Sequence, residues 1–337
     1  DAHKLGKFLR DWATERGVLH RPLRVTDVEQ GAQTEIAALL CEDGTRIEGD
    51  IFVDCSGFRS VLAQQTLGAQ FIPFGNNLFN DRAVVLPSAH STRFKPQTDS
   101  IAMRAGWRWS IPLTTRVGNG YVYSSKYVSD EDAEAELREA IGMQDEGEAR
   151  ILEMRVGRIA ESWTGNCLAA GLSQGFIEPL EATALHIVIA TALDFADAYE
   201  KGGYGSAHRD RFNQRIAAKY EGIRDYIVAH YRLNQRSDTQ YWRDNAANDA
   251  LSDNLKGMIT AWFTHDDLRE VNLRQHDGNP HYANMSWHAL FAGYGTFPPE
   301  AKMVPTPTGL VTAEVDHTRR TLSACATNFL RYAPLSD

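Results

Sequence analysis

Three features of the sequence predict an α/β chain with a mixed sheet followed by a mostly helical region. Apolar strand-like runs end in glycine-bearing loops and pass into helical patterns, first around Ile51-Phe52-Val53-Asp54 and again around Cys167 to Leu172. Short β-like runs alternate with turns over residues 71–127. Beyond Gly205, Phe212, Ile216, Tyr220, Ile223 and Ile227 recur at the spacing of one helix face. The expected division is 1–205 for the α/β part and 206–337 for the helical part.

The elements follow in order. Leu5, Phe8, Leu9, Trp12 and Ala13 recur at helical spacing, which predicts an amphipathic helix from Asp1 with Gly17 as its stop. Leu23 to Val28, Ile36 to Leu40 and, after the turn Glu42-Asp43-Gly44, Arg46 to Asp54 read as strands. Asp54 leads into Cys55-Ser56-Gly57-Phe58-Arg59-Ser60, which reads as a nucleotide-contact loop at the end of a buried parallel strand. Arg82 to Leu86, Ser100 to Arg104, Trp107 to Leu113 and Tyr121 to Ser124 predict a sheet, with Gly118-Asn119-Gly120 as the hairpin turn between the last two.

Ser129 is placed to cap a helix that opens with Asp130, Glu131 and Asp132. Ile151 to Arg158 and Cys167 to Leu172 read as further strands. Pro179 suits the first position of a long helix that is apolar nearly all round, which predicts a buried helix.

Composition narrows the function classes. With 43% hydrophobic and 23% charged residues in 337, a folded chain with a sizeable core is expected. A net charge of −9 gives no reason to expect a phosphate backbone as partner, so nucleic acid is not expected. The apolar run Leu185 to Leu193 is too short to span a bilayer, and no signal peptide is visible. Cys41, Cys55, Cys167 and Cys325 lie far apart without a CxxC pair, so no zinc site is expected and the reducing cytoplasm is the default location. Lone histidines such as His186 and His265 read as packing or surface residues, not metal ligands.

The densest chemical signal is Gly171-Leu172-Ser173-Gln174-Gly175-Phe176-Ile177-Glu178-Pro179-Leu180-Glu181-Ala182-Thr183-Ala184, between a buried strand and the long helix. Free amides at that helix start would suit a halide, a phosphate or a flavin oxygen. On the bland reading, Glu181 in the first turn of that helix only complements the helix dipole, worth roughly 0.3–1 kcal/mol. Set against this, burying an unpaired carboxylate costs several kcal/mol, which favours a functional group there. In Trp107-Arg108-Trp109-Ser110-Ile111-Pro112, strand alternation puts both indoles on one face, where they either wall a flat ligand or fill a core. No G-x-G-x-x-G occurs, so the first phosphate-binding turn of a dinucleotide-binding fold, and with it a first βαβ unit, is not expected in this chain. Trp242, Trp262 and Trp287 could line a substrate pocket, but hydrophobic core is the expectation for most of that cluster.

Together, Asp54-Cys55-Ser56-Gly57-Phe58-Arg59, Gly106-Trp107-Arg108-Trp109-Ser110-Ile111-Pro112-Leu113 and Gly175-Phe176-Ile177-Glu178-Pro179-Leu180-Glu181 resemble the flavin-dependent tryptophan halogenases, from Asp1 to about residue 300. The resemblance implies an FAD/NAD(P)-binding-like fold of the flavin monooxygenase type. It implies an enzyme that uses FAD reduced by a separate flavin reductase, oxygen, and chloride or bromide. Hypohalous acid would then halogenate a small aromatic substrate, whether tryptophan, indole-like or phenolic. It also implies residue roles: Glu181 as the catalytic glutamate, and Thr183 and Ala184 as the halide-binding amides. Val25, Asp54, Gly57, Leu172 and Leu185, with Trp107 and Trp109 flanking the ring, would be the flavin-binding positions. Ala182 and Ala184 stand where tryptophan-specific members carry Ser and Gly, which leaves the substrate open. Lys4 lies in the opening helix and is not matched to the family's catalytic lysine. A flavin-dependent aromatic hydroxylase and an inactive fragment are the alternatives, and a homodimer is left open.

Overall fold

The computed structural model describes residues 1–32, 35–89, 97–276, 278, 280–298 and 308–326. Helix α1 (Ala2–Thr14) is N-capped by the Asp1 carboxylate, and all its large apolar side chains, Leu5, Phe8, Leu9 and Trp12, are exposed. Gly17 takes a left-handed φ three residues past the last helical one. Strands β1 (Val25–Gln30), β2 (Ile36–Cys41) and β3 (Arg46–Glu48) form an antiparallel sheet. The run predicted as one strand over 46–54 is two, because Gly49-Asp50 breaks it. β3 pairs with β2, whereas β4 (Phe52–Asp54) runs parallel to β13 (Cys167–Ala169), with Ala169 opposite Asp54.

β5 (Phe71–Pro73) belongs to a sheet with β11 (Gly157–Ile159) and β14 (Gly175–Phe176), and β12 (Trp163–Thr164) pairs with β13. A five-stranded antiparallel sheet has the order β10-β6-β9-β8-β7, from β6 (Arg82–Val85), β7 (Asp99–Met103), β8 (Gly106–Pro112), β9 (Val117–Tyr123) and β10 (Arg150–Glu153). The strand predicted over 151–158 is thus also split, its halves serving different sheets.

The expected hairpin turn at Gly118-Asn119-Gly120 is corrected: all three residues lie inside β9, and the turn falls at Leu113 to Arg116, where Leu113 N–H donates to Arg116 O at 2.8 Å. Gly120 sits opposite Trp109, and a Cβ there would stand 2.0 Å from the indole. The glycine makes room for a ring, not for a turn.

Ser129 caps α2 (Asp130–Ile141), accepting from Asp132 N–H at 3.1 Å. The remaining helices are α3 (Thr183–Lys201), α4 (Arg209–Arg232), α5 (Gln240–Ala247), α6 (Asp253–Thr264), α7 (Leu268–Gln275), α8 (Asn284–Gly293) and α9 (Thr308–Ala326). In α4 the predicted stripe from Phe212 to Ile227 is buried throughout. It joins the five-stranded sheet and the later helices in one core running from Phe74 to Phe291, with Trp242 and Trp287 in it.

The expectation that α3 is buried on all sides does not hold. Of its residues only Ile187 and Thr191 are buried, and Leu185, Ile189 and Leu193 are each at least 60% exposed. The sequence pattern is apolar all round, but this chain supplies cover on only one side. Among the described residues no helix is long and apolar enough to cross a membrane, and no cluster of His, Cys, Asp and Glu suits a metal ion.

Candidate active site

The strap from Gly171 to Ala184 connects β13 to α3. Gly171, at φ +66°, ends the strand and starts a 3-10 turn over Gly171–Ser173. The Ser173 hydroxyl donates to the backbone carbonyls of Asp54 and Ala170, which ties the strap to the end of β4. After β14 come Glu178 and Pro179, then a tight turn at Leu180–Ala182 in which Glu181 (φ +67°) and Ala182 (φ +51°) are both left-handed. That pair blocks helical pairing through it, so α3 begins at Thr183 and no side chain caps it. Pro179 is therefore not the first residue of the long helix, and Glu181 lies before the helix instead of in its first turn. Two adjacent non-glycine residues in this region cost on the order of 1–3 kcal/mol each, a strain found mostly at functional sites.

The turn presents the Glu181 carboxylate to a cavity of about 790 Å³. Trp107, Trp109, His230, Tyr231, Trp242 and Tyr294 line it with Glu181. His230 Nε2 stands 3.2 Å from Glu181 Oε1, and the imidazole Nδ1 is 3.3 Å from the Tyr294 hydroxyl. The His230 ring holds the Glu181 carboxyl below the usual carboxylate range, against partial burial that pushes it up. Trp107 and Trp109 share one face of β8, with ring centroids 6.1 Å apart and planes tilted by 58°. Both open onto the cavity that holds Glu181.

A second, apolar cavity of about 210 Å³ lies on the other side of the strap, lined by Leu172, Glu178, Thr183, Ala184, Leu185 and Val188 among others. Glu178, Thr183 and Ala184 thus face one chamber while Pro179, Leu180, Glu181 and Ala182 face the other. Fewer than ten residues of chain form a shared wall.

Val25 and Asp54 line a third cavity, of about 670 Å³, at the end of β4. The Asp54 carboxylate is fully engaged by its own loop. One oxygen accepts from the Ser56 N–H (2.9 Å) and hydroxyl (2.6 Å), the other from the amides of Leu62 and Ala63 (2.9 Å each). Asp54 therefore shapes this loop, and Gly57, at φ +73°, lets it turn. Phe58 meets Phe176 edge to face at 5.8 Å, joining the loop to the strap. The predicted site residues other than Gly57 thus fall into three groups: Glu181 with Trp107 and Trp109, Thr183 and Ala184 with Leu172 and Leu185, and Val25 with Asp54; Gly57 lines none of the three cavities.

Known proteins resemble this chain in sequence and in fold. A sequence model described as tryptophan halogenase matches residues 1–306. The chain belongs to the tryptophan halogenase family. This halogenase-family chain is 38% identical over 289 residues to a 7-chloro-L-tryptophan 6-halogenase, KtzR, from Kutzneria sp. (strain 744), a match covering 85% of this chain and 56% of that protein. It is 33% identical over 312 residues to the tryptophan 7-halogenase RebH of Lentzea aerocolonigenes, covering 88% and 59%. Among solved structures, a thermophilic tryptophan halogenase from Streptomycin violaceusniger superposes with a TM-score of 0.87 at 34% identity, over 95% of this chain and 64% of that one. BrvH, a flavin-dependent halogenase from Brevundimonas sp. BAL3, superposes at 0.84 and 31% identity, over 99% and 67%. The halogenase-family chain spans under two thirds of the length of the curated relatives it matches.

Sequence reasoning missed Glu178, His230, Tyr231 and Tyr294. A signal existed for two of them: the α4 stripe through Ile223 and Ile227 continues to His230 and Tyr231 on the same inward face.

Proposed function

We propose that the chain works in a flavin-dependent halogenase that attaches chloride or bromide to an aromatic ring bound in the Glu181 cavity. The observation that carries this reading is the shared wall. A strained turn offers a carboxylate to an aromatic-lined chamber, and the next residues offer helix-start amides to a separate apolar one.

The residues present fit a flavin. Leu172 and Leu185 leave apolar surface exposed beside Thr183 and Ala184, where α3 starts without a side-chain cap. A flat apolar ring with a polar edge would cover both. Bound FAD, reduced by a separate reductase, would with oxygen supply the oxidising power that turns halide into hypohalous acid. Leu172, Leu185 and the Val25, Asp54 and Gly57 loop region would hold it, and the Thr183 and Ala184 amides would bind halide at the wall.

On the other side, Trp107 and Trp109, expected to flank the flavin, open onto the Glu181 cavity instead, and with Trp242 and Tyr294 they would sandwich a flat aromatic substrate. Glu181, kept ionised by His230, would orient the electrophile and accept the proton that the ring loses when its C–H bond is replaced. The exposed apolar side of α3 supports a further part of this reading: chain of the kind the relatives carry beyond the matched region would pack there. The four free cysteines, two of them exposed, support placement in a reducing cytoplasm.

The test is mass spectrometry of products formed by the protein with a flavin reductase, FAD, bromide and tryptophan, indole or a phenol. A bromine isotope doublet on the product is expected. An oxygen atom added instead would make this a hydroxylase and overturn the reading.

A further inference from the structure

Glu178 is the most deeply buried acid of the strap, 2% exposed, and it is bonded by three residues from distant parts of the chain, Asn80, Trp107 and Tyr231. One of its carboxylate oxygens accepts from the Tyr231 hydroxyl of α4 at 2.6 Å and from the Trp107 indole N–H of β8 at 3.2 Å. The other accepts from Asn80 Nδ2 at 3.2 Å. Asn80 also donates to the Tyr231 oxygen at 2.8 Å and accepts from the Tyr241 hydroxyl of α5 at 2.8 Å. Every partner is a neutral donor. An ionised carboxylate is acceptor-only, so the arrangement is shaped for the charged form, although burial without a cation is expensive. A leucine would leave all three donors unpaired, and a glutamine would turn an amide donor toward one of them.

Two of those three donors, Trp107 and Tyr231, are also walls of the cavity that holds Glu181. We propose that Glu178 is a positioning residue for the reaction in that cavity, fixing the Trp107 indole and the Tyr231 phenol from behind. The proposal rests on the halogenase reading only for what the cavity is used for. A ring pinned at its polar end keeps one orientation, and through Pro179 the same anchor holds the strained turn that carries Glu181.

Burial pushes the Glu178 carboxyl up to about 7. The titratable groups that face it are Tyr231 from α4 and Tyr241 from α5, both pushed far up by burial, with Glu181 on its own segment and His230 of α4 across the cavity. The grip on Trp107 should therefore be tight above neutrality and slacken below it.

The test uses the protein labelled with 15N-tryptophan, whose seven indole N–H resonances report each ring. The Trp107 resonance is assigned by its loss in Trp107→Phe. It should move with pH around a midpoint of about 7, and Glu178→Gln should abolish that movement, which assigns it to Glu178 and to no other group. Tyr231→Phe, which keeps the packing but removes one donor, should move the midpoint up, and this variant carries the test if Glu178→Gln does not fold. A Trp107 resonance that is flat from about pH 5 to about pH 9, an unchanged titration in Glu178→Gln, or an unmoved midpoint in Tyr231→Phe would overturn the proposal. In the halogenation assay Glu178→Gln should lower kcat roughly 10- to 100-fold with a smaller change in KM, as expected when a positioned group loses its support. A folded variant with kcat unchanged would also overturn it. If the wild-type protein gives no halogenated product, the halogenase reading fails, while the Trp107 titration still decides what Glu178 holds.

Discussion

Glu178→Gln should change how stability depends on pH, beyond any change at one pH. The ordinary value for a glutamate carboxyl is 4.5, and in the folded chain burial raises it to about 7. The folded protein therefore binds a proton over a range where the unfolded chain has released it, so folding favours the neutral acid. This contribution is fully present below 4.5 and is lost as pH rises through 7. The gap of about 2.5 pH units corresponds to roughly 3 kcal/mol, at about 1.4 kcal/mol per unit. Glutamine has no such dependence. It also places an amide donor against Asn80 Nδ2, a pH-independent cost of about 1–3 kcal/mol. Urea unfolding of both proteins at several pH values and constant ionic strength should show the variant gaining about 3 kcal/mol relative to wild type between pH 4.5 and pH 8, on top of a constant offset. All other titrating groups cancel in that difference. A difference that stays flat to within about 1 kcal/mol would refute the reasoning, because Glu178 would then ionise alike in both states.

Gly120→Ala should push the Trp109 ring off β9, since the new Cβ would stand 2.0 Å from it; a loss of about 1–3 kcal/mol and altered tryptophan fluorescence are expected, and wild-type values for both would count against the packing described. His230→Ala should let the Glu181 carboxyl rise toward its ordinary value, and a 13C titration of the Glu181 side chain checks this; because the value is lowered in the folded state, the associated stability is present above the ordinary carboxylate range and lost as pH falls through the folded value. Ser129→Ala removes the cap of α2 and should cost about 1 kcal/mol in thermal or chemical unfolding, with no effect on any of the three cavities.

Much of the site could be read because it is written in local strings. Trp107 and Trp109 share a face because strand side chains alternate, and Asp54 ends a parallel strand because an apolar run stops at a loop. The α4 stripe gave the helical region for the same reason. Other features depend on what stands opposite. Gly118 to Gly120 carry hairpin composition, yet the ring across from Gly120 decides that they lie in a strand. Residues 46–54 and 151–158 look continuous because a strand pattern does not say which sheet each half joins. Glu181 and Ala182 have no intrinsic preference for left-handed backbone, so the turn is imposed by the packing of the strap and is invisible in residue type. Glu178 reads as one more acid in a glutamate-bearing string; its role emerges from Asn80, Trp107 and Tyr231, brought together from across the chain.

In the proposed function Glu181 faces the reacting ring across a wall from the flavin. Its most direct test is Glu181→Gln in the protein supplied with reduced flavin, oxygen, bromide and aromatic substrate, with product and flavin binding measured together. Product should fall by roughly 10²-fold or more, the range for loss of a general base, while flavin affinity stays at the wild-type value. Bromination within about threefold of wild type would contradict the role given to this carboxylate and to the strained turn that presents it.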